Sequence, residues 1–205
     1  MQPSTKQIVA LKKRDPVLGE AINRLPPFPD MPVGNFRNPY FHVLARSIIH
    51  QQLATNAAAT IYGRVRRLGP RGRFPAPGQM LLLSEDALRE AGLSRNKVRA
   101  IRDLATKIGC GELNLRGIAH QDDTEVIRRL TTVWGIGEWT AHMFLIFKLG
   151  RLDVMPSGDL GVQEGLRILD GLGERPTPEK LLKRAEHWRP LRSVAAWYLW
   201  RLTDS

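Results

Sequence analysis

Two apolar helical segments flank a turn with two glycines in the stretch LTTVWGIGEWTAHMFLIFKLGRLDVMPSGD, at residues 130–159. On both sides of the turn, apolar residues recur every three or four positions, the spacing of one buried helix face. We expect one helix to open at Asp122 or Thr124 and a second to run from about Glu138 until Gly150 stops it. The apolar positions are Val126, Ile127, Leu130, Val133, Ala141, Phe144, Leu145, Ile146 and Phe147. The pattern predicts an antiparallel helical hairpin at about residues 124–149.

The predicted turn is Trp134-Gly135-Ile136-Gly137. Its two glycines permit positive φ and let another backbone approach closely. The first backbone N–H groups of the second helix have no partner within that helix, and a DNA phosphate is a natural acceptor for them. A Gly-x-Gly turn also joins helices that only pack together. The turn by itself therefore leaves both interpretations open.

The rest of the chain has helical spacing, without strand alternation or internal repeats. Residues 4–24 predict a helix interrupted around Pro16, and a proline-rich connector leads to Asn38-Pro39, which opens the next helix. Residues 51–53 interrupt the helical pattern. Further helices are expected after the capping residues Ser84, Ser94, Asp159 and Thr177, and at 191–203. The predicted core positions of the central helices are Phe41, Leu44, Ala45, Ile48, Ile49, Ala57, Ala58, Ile61, Val65, Leu68, Val98, Ile101, Leu104, Ala105 and Ile108. The fold class is all-α, in one domain spanning 1–205.

Composition restricts the class of partner. The 205 residues carry a formal net charge of +11, so a phosphate backbone is the most economical partner and an anionic membrane the second. No run of about 18 apolar residues is present, and the first residues lack the apolar core of a secretory signal. Cys110 is the only cysteine, and the histidines have no metal-ligand spacing, which argues against a cysteine-ligated cluster or a metal enzyme. We expect a cytoplasmic protein without cofactor, nucleoid-associated if bacterial.

One carboxylate and two indoles are candidates for chemistry: Asp159, Trp139 and Trp200. Aromatic faces attract a cation by about 0.5–2 kcal/mol each. A carboxylate can stabilise a developing oxocarbenium-like sugar. The structural alternatives are an N-cap for Asp159 and core packing for the tryptophans. Spacing alone does not overturn those alternatives.

The hairpin pattern L-x-x-V-x-G-I-G-x-x-T-A, followed by MPSGD, resembles the helix-hairpin-helix motif of a superfamily of DNA-repair glycosylases. Three further segments are similar to the 3-methyladenine DNA glycosylase II family: FHVLARSIIHQQLATNAAATIYGRV, FPAPGQMLLLSEDALREAGLSRNKVRAI and AEHWRPLRSVAAWYLW. The resemblance covers about residues 35–200. It implies a two-lobed helical fold with the active site in the cleft between the lobes, in a minimal form without the N-terminal β-rich domain of the bacterial prototype.

The resemblance assigns roles residue by residue. Asp159 falls on the catalytic aspartate, and Trp139, Trp200 and Gln51 fall on base-pocket positions. Met143 stands where the family has a pocket tyrosine. Gln52 falls on the residue that wedges into DNA, which is apolar in the family, so the neighbouring Leu53 is an alternative wedge. The residues assigned to phosphate binding are Gly135, Gly137 and Thr140, and those whose carbonyls are assigned to a monovalent cation are Thr131, Val133 and Ile136.

The implied activity is a monofunctional glycosylase, a monomer that flips N-alkylated purines such as 3-methyladenine and 7-methylguanine out of double-stranded DNA and excises them. Superfamily members that also cut the backbone carry a lysine at the place of Trp139, and without that amine no Schiff base forms there. Two alternatives stay open. One is a non-catalytic DNA-binding or damage-sensing protein, and the other is a mismatch or oxidised-base glycosylase.

Overall fold

The computed structural model describes residues 2–29 and 39–204, and within these ranges the regular elements are helices and no strand occurs. The α-helices before the hairpin are α1 (Thr5–Arg14), α2 (Pro16–Arg24), α3 (Tyr40–His50), α4 (Thr55–Arg67), α5 (Pro77–Leu82), α6 (Glu85–Glu90) and α7 (Arg95–Gly109). The hairpin and the helices after it are α8 (Asp123–Leu130), α9 (Glu138–Met143), a π-helix (Phe144–Lys148), α10 (Leu160–Leu169), α11 (Pro178–Ala185) and α12 (Arg192–Leu202). The all-α prediction is confirmed.

Short polar side chains begin several of these helices. Each accepts a hydrogen bond from a backbone N–H of the first turn, which otherwise has no partner. The capping residues are Ser4, Asp15, Ser84, Ser94, Asp122, Asp159 and Thr177. Four of them, Ser84, Ser94, Asp159 and Thr177, were predicted, and Asp122 was one of the two predicted starts of its helix. The cap predicted at Asn38 lies outside the described residues, and α3 has Pro39 at its N-cap.

The chain forms two compact units. One unit comprises Met1–Asn35 and Leu145–Ser205, and its core is built from α1, α2 and α10–α12 around the fully buried Trp188. Asp15 lies in this unit and is also buried. Its carboxylate accepts hydrogen bonds from Arg184 Nη1 at 2.5 Å and from Trp188 Nε1 at 2.6 Å. This contact ties the start of α2 to the region of α11.

Helices α10 and α12 approach very closely within the same unit. A Cβ placed on Gly165 would lie 2.2 Å from the carbonyl oxygen of Leu199, so only a glycine fits there. One turn earlier, a Cβ on Gly161 would lie 3.0 Å from Trp200 Cδ1. The two glycines therefore set the separation of these helices, and with it the position of Trp200.

The second unit, Phe36–Phe144, contains α3–α9. Helix α7 packs against α3, α5 and α6, and α8 packs against α9 in the hairpin. The predicted core residues of α3 are all buried, as are Val98, Ile101, Leu104 and Ala105 of α7. In α4, only Ala58 and Val65 of the predicted set are fully buried, and Ala57 is exposed.

Three expectations need correction. Residues 77–82, where no helix was predicted, form α5: Pro77 stands at the first position of the helix, and the Gln79 side chain accepts the backbone N–H of Ala76 at 2.9 Å. Gly137 has φ −92° and is the N-cap of α9, so of the two turn glycines only Gly135, with φ +83°, needs the left-handed region. The second hairpin helix changes to π-helical hydrogen bonding after Met143.

Two further findings concern membranes and domains. Among the described residues, no helix is long and apolar enough to cross a membrane. The single domain predicted over 1–205 stays a prediction.

Candidate active site

Asp159 occupies the N-cap of α10 and is bound by two donors. Its Oδ1 accepts the backbone N–H of Val162 at 2.9 Å and the indole N–H of Trp200 at 2.9 Å. The carboxylate is thus both the helix cap and the partner of the predicted pocket tryptophan. Hydrogen bonds from these two donors fix the orientation of the carboxylate.

The loop before Asp159 is held by two buried polar side chains. Gln163 donates from Nε2 to the carbonyl oxygen of Ser157 at 2.8 Å. Ser193 of α12 accepts the backbone N–H of Val154 at 2.9 Å and donates to its carbonyl oxygen at 3.1 Å. The predicted MPSGD loop is therefore fastened on both sides, which gives Asp159 a defined position.

Phe147 adds an aromatic wall that the sequence did not reveal. Its ring is stacked on Trp200, with centroids 5.8 Å apart and planes 26° apart, and 44% of the residue is exposed. The helical spacing had assigned Phe147 to the buried face. The π-helical turn explains the difference, because an extra residue in the turn changes the direction in which the following side chains point. Gly161 is the second residue missed, since its role is to leave room beside Trp200.

In the other unit, a cavity of about 480 Å³ brings together three of the predicted pocket residues. Gln51, Trp139 and Met143 line it, and the remaining lining residues are Ser47, His50, Gln52 and Thr140. Trp139 is 47% exposed, so about half of its surface is available for a ligand. A partly exposed aromatic surface beside a thioether suits a flat apolar ring.

His50 is another residue of this cavity that was not predicted. Its Nε2 atom is buried, and none of the described residues forms a hydrogen bond with it. Burial, together with the charges of Arg46 and Lys97, lowers the pKa of the His50 imidazole. The ring is therefore neutral at physiological pH.

Gln51 connects the cavity to the hairpin turn. Its Nε2 donates to the carbonyl oxygen of Gly135 and to the hydroxyl of Thr140, both at 3.1 Å. Thr140 is only 2% exposed, so its side chain lies inside the hairpin and supports the turn. The contact predicted between this hydroxyl and a phosphate stays a prediction; in this structure the hydroxyl accepts a hydrogen bond from Gln51.

Gln52 and Leu53, the two residues predicted as the DNA wedge, come directly after Gln51 in the chain. Gln52 has φ +54°, a left-handed conformation that costs a non-glycine residue about 1–3 kcal/mol. Leu53 is 39% exposed. An exposed leucine next to a strained backbone is the better candidate for insertion between bases, because an apolar wedge loses no hydrogen bonds when it leaves water.

The hairpin turn offers both donors and acceptors. The backbone N–H groups of Gly135 and Gly137 donate to no acceptor among the described residues, whereas the N–H of Trp134 donates to Asp103 at 2.7 Å. No Cβ-sized obstacle lies near Gly137 in the described part of the chain. These two N–H groups are the type of donor that binds an anion.

The carbonyl oxygens predicted to bind a monovalent cation are suitable ligands for one. Those of Thr131 and Ile136 accept no hydrogen bond from the described residues, and that of Val133 accepts one, from the N–H of Ile136 at 3.0 Å. Carbonyl oxygens are suitable ligands for hard cations. No group of three or more His, Cys, Asp or Glu side chains in residues 2–29 and 39–204 could hold a metal ion.

Comparison with known proteins identifies the family. The sequence model described as "HhH-GPD superfamily base excision DNA repair protein" matches residues 45–190, more than two thirds of the chain. The chain belongs to the HhH-GPD superfamily. As a member, it is a helix-hairpin-helix protein of base excision DNA repair, and the predicted family is confirmed.

Relatives of this HhH-GPD protein agree with that assignment. DNA-3-methyladenine glycosylase 1 of Schizosaccharomyces pombe is 36% identical over 178 residues, which cover 82% of this chain and 78% of the relative. The structure of a 3-methyladenine DNA glycosylase of the same yeast, in complex with abasic DNA, aligns with a TM-score of 0.82 and 30% identity over 98% of both chains. A DNA-3-methyladenine glycosidase from Bacillus halodurans aligns with a TM-score of 0.81 and 36% identity, covering 100% of this chain and 92% of the other.

The matched segment of the HhH-GPD superfamily contains the hairpin, Gln51 and Asp159. Trp200 lies beyond its end. The relation of Trp200 to the site is carried by its hydrogen bond to Asp159 and by its stack on Phe147.

Proposed function

We propose that this protein is a monofunctional DNA glycosylase that excises N-alkylated purines, such as 3-methyladenine and 7-methylguanine, from duplex DNA. The observation that carries the proposal is the Asp159 carboxylate, oriented by the indole of Trp200 and by the first turn of α10. The relatives, which are named as 3-methyladenine glycosylases of yeast and Bacillus, support the substrate class.

The chemistry begins from a base that already carries a positive charge. Alkylation at N3 or N7 weakens the glycosidic bond, so departure of the base needs no strong general acid. The sugar becomes cationic as the bond breaks. Asp159 in its ionised form stabilises that charge, and because its orientation is fixed before the reaction, little reorganisation is needed in the transition state. The base leaves as a neutral molecule, a water molecule adds to the anomeric carbon and releases a proton to solvent, and the products are the free base and an abasic site.

The aromatic residues recognise the leaving base. Trp139, and separately Trp200 with Phe147, present ring surface to which a flat cationic purine can stack, and each favourable contact contributes about 0.5–2 kcal/mol. Met143 supplies polarisable surface in place of an aromatic wall. Weak pairing of the lesion lowers the cost of extruding it, which adds to selectivity.

DNA is held through its backbone. The N–H groups of Gly135 and Gly137 bind a phosphate, and the net charge of +11 strengthens association with the duplex. We assign the wedge to Leu53, with Gln52 as its strained neighbour. A monovalent cation on the carbonyls of Thr131, Val133 and Ile136 would supply positive charge next to the bound phosphate.

Absence of strand cleavage follows from Trp139. An indole at this position has no amine with which to attack the sugar, so no Schiff base and no β-elimination start from it. The enzyme therefore leaves the backbone intact at the abasic site.

A base-release assay tests the proposal. Duplex DNA treated with a methylating agent is incubated with the protein, released bases are separated by chromatography, and strand breaks are scored before and after alkali. We expect free 3-methyladenine and 7-methylguanine, with breaks only after alkali. Failure to release bases, despite binding to abasic DNA, would identify a damage-sensing protein instead. A covalent complex trapped by borohydride would contradict the monofunctional assignment.

A further inference from the structure

The loop after α3 is fastened by a lysine from another helix. Lys97 of α7 donates from Nζ to the carbonyl oxygens of Ile49 at 2.6 Å and Gln51 at 2.9 Å. These carbonyls belong to the C-terminal end of α3, where a positive charge is favoured by the helix dipole and the last carbonyls have no intrahelical donors. Charge-assisted hydrogen bonds of this kind are about twice as strong as neutral ones.

Lys97 has no carboxylate partner among the described residues, so its charge is matched by the two carbonyls. Burial lowers the pKa of its ammonium group. A partly buried ammonium is costly unless its hydrogen bonds are specific. The Lys97 side chain therefore holds the backbone of this loop in place and does not mainly add charge to the surface.

The fastened segment is the one that carries the wedge. Directly after the carbonyl of Gln51, the backbone of Gln52 takes a left-handed φ of +54°, and Leu53 follows on the surface. A strained residue persists where its surroundings determine the conformation from several sides. Here Lys97 fixes the backbone of Gln51, and the Gln51 side chain is bonded to the hairpin turn at Gly135.

We propose that Lys97 is a positioning residue for base extrusion, which holds the wedge loop in its inserting conformation and, through Gln51, links that loop to the phosphate-binding turn of the hairpin. This inference rests on the proposed function, because it assumes that Leu53 enters the duplex. Lys97 acts through the loop and does not contact the reacting atoms.

The first experiment needs no catalysis. Duplexes containing a tetrahydrofuran abasic analogue next to 2-aminopurine report by fluorescence whether a wedge unstacks the neighbouring base. Lys97→Met should reduce the fluorescence rise at saturating protein, whereas Lys97→Arg should retain it, since a guanidinium can donate to both carbonyls. Lys107→Met is the matched control, because Lys107 lies on the same helix and its ammonium group pairs with the exposed Glu112. Hydrogen exchange in the free protein should be faster at residues 50–54 in Lys97→Met and unchanged in Lys107→Met.

The second experiment measures excision in single turnovers. The same alkylated base is placed opposite its normal partner and opposite a tetrahydrofuran, where extrusion costs less. Lys97→Met should slow the fully paired substrate by about tenfold or more and the unpaired substrate much less. When Lys97→Met is combined with Leu53→Ala, the effects of the two changes on the ratio of the two rates should be non-additive, since both alter the wedge loop. Lys97→Gln replaces Lys97→Met in both experiments if the latter does not fold.

The outcomes separate the two proposals. If wild-type protein unstacks 2-aminopurine but releases no alkylated base, the proposed enzyme activity fails while the positioning role stands. If Lys97→Met, or Lys97→Gln in its place, slows both substrates equally and leaves wedge fluorescence and loop exchange unchanged, Lys97 is only a stabilising residue and the inference is wrong.

Discussion

The indole N–H of Trp200 and the backbone N–H of Val162 donate to the same oxygen of Asp159, each at 2.9 Å. The first donor comes from α12 and the second from α10. One carboxylate oxygen is thus fixed jointly by a helix cap and by an aromatic side chain. This arrangement makes it possible to separate the chemical role of Asp159 from its structural role.

Asp159→Asn should lower base release by at least about 10²–10³-fold, because the charge that stabilises the cationic transition state is lost. Asparagine is as good an N-cap as aspartate, so the melting temperature should change little. Affinity for abasic DNA should persist. Single-turnover excision, thermal denaturation and a binding titration measure the three effects. Asp122→Asn, which changes the cap of α8 in the same way, is the control and should keep full activity.

Gly161→Ala should reduce excision by about tenfold through displacement of Trp200. A Cβ at this position would lie 3.0 Å from Trp200 Cδ1 and 3.1 Å from Asp159 Oδ1, which is too close for both side chains to stay in place. Gly158→Ala is the matched control, since a Cβ there meets nothing within 4 Å. Equal activity of the two variants would show that the Asp159–Trp200 hydrogen bond does not matter for catalysis.

The two glycines of the hairpin turn should respond differently to substitution. Gly135→Ala should destabilise the fold by about 1 kcal/mol or more, since φ is +83° and the added Cβ lies 3.0 Å from that of Ala100.

Gly137→Val should fold normally but weaken binding to damaged and undamaged duplexes alike, because its side chain would occupy the phosphate position. Binding at several salt concentrations should show a smaller slope of log affinity against log salt.

Normal binding of Gly137→Val to undamaged DNA would show that the hairpin is a packing element only.

Trp200→Ala should mainly affect lesion recognition and not general DNA binding. It should impair preference for alkylated over normal duplex more than it impairs overall binding, since stacking recognises the base and phosphate contacts do not.

Stability should depend on pH through Asp15. Burial acts to raise the pKa of its carboxyl, but hydrogen bonds from Arg184, the Leu18 N–H and Trp188 outweigh burial, and the pKa lies below the ordinary value of 3.8. The carboxylate therefore stabilises the folded state fully above that value, and the contribution is lost as pH falls through the lowered folded-state pKa. Asp15→Asn should cost about 1–3 kcal/mol at neutral pH. Denaturant titrations should show this difference shrinking below about pH 4, and a constant difference would contradict the assignment.

Features with a local cause were predictable from the sequence. Ser84, Ser94 and Thr177 were recognised as caps because a cap depends on residues three positions away. The hairpin and the N-cap position of Asp159 were recognised for the same reason. The negative φ of Gly137 was not, because the sequence shows that a glycine can take either sign but not which sign the turn requires.

Features with a tertiary cause were not predictable. The role of Gly161 depends on how closely α12 approaches, and the role of Lys97 depends on the end of α3 that lies next to it. Phe147 fitted the apolar helical spacing and was assigned to the core. Its exposure results from a change of helix type that periodicity cannot show.

The stack of Phe147 on Trp200 therefore depends on the number of residues in the π-helical turn at Phe144–Lys148 as well as on their identity. Deleting one residue here would restore α-helical spacing and rotate the following side chains of this helix by about 100°. Phe147 would turn away from Trp200, although each recognisable motif of the chain would remain. A sequence alignment would show only a one-residue gap in such a protein, although the Phe147 ring would no longer lie beside Trp200. A change of chain length at this turn would thus remove the stack of Phe147 on Trp200 without altering any motif.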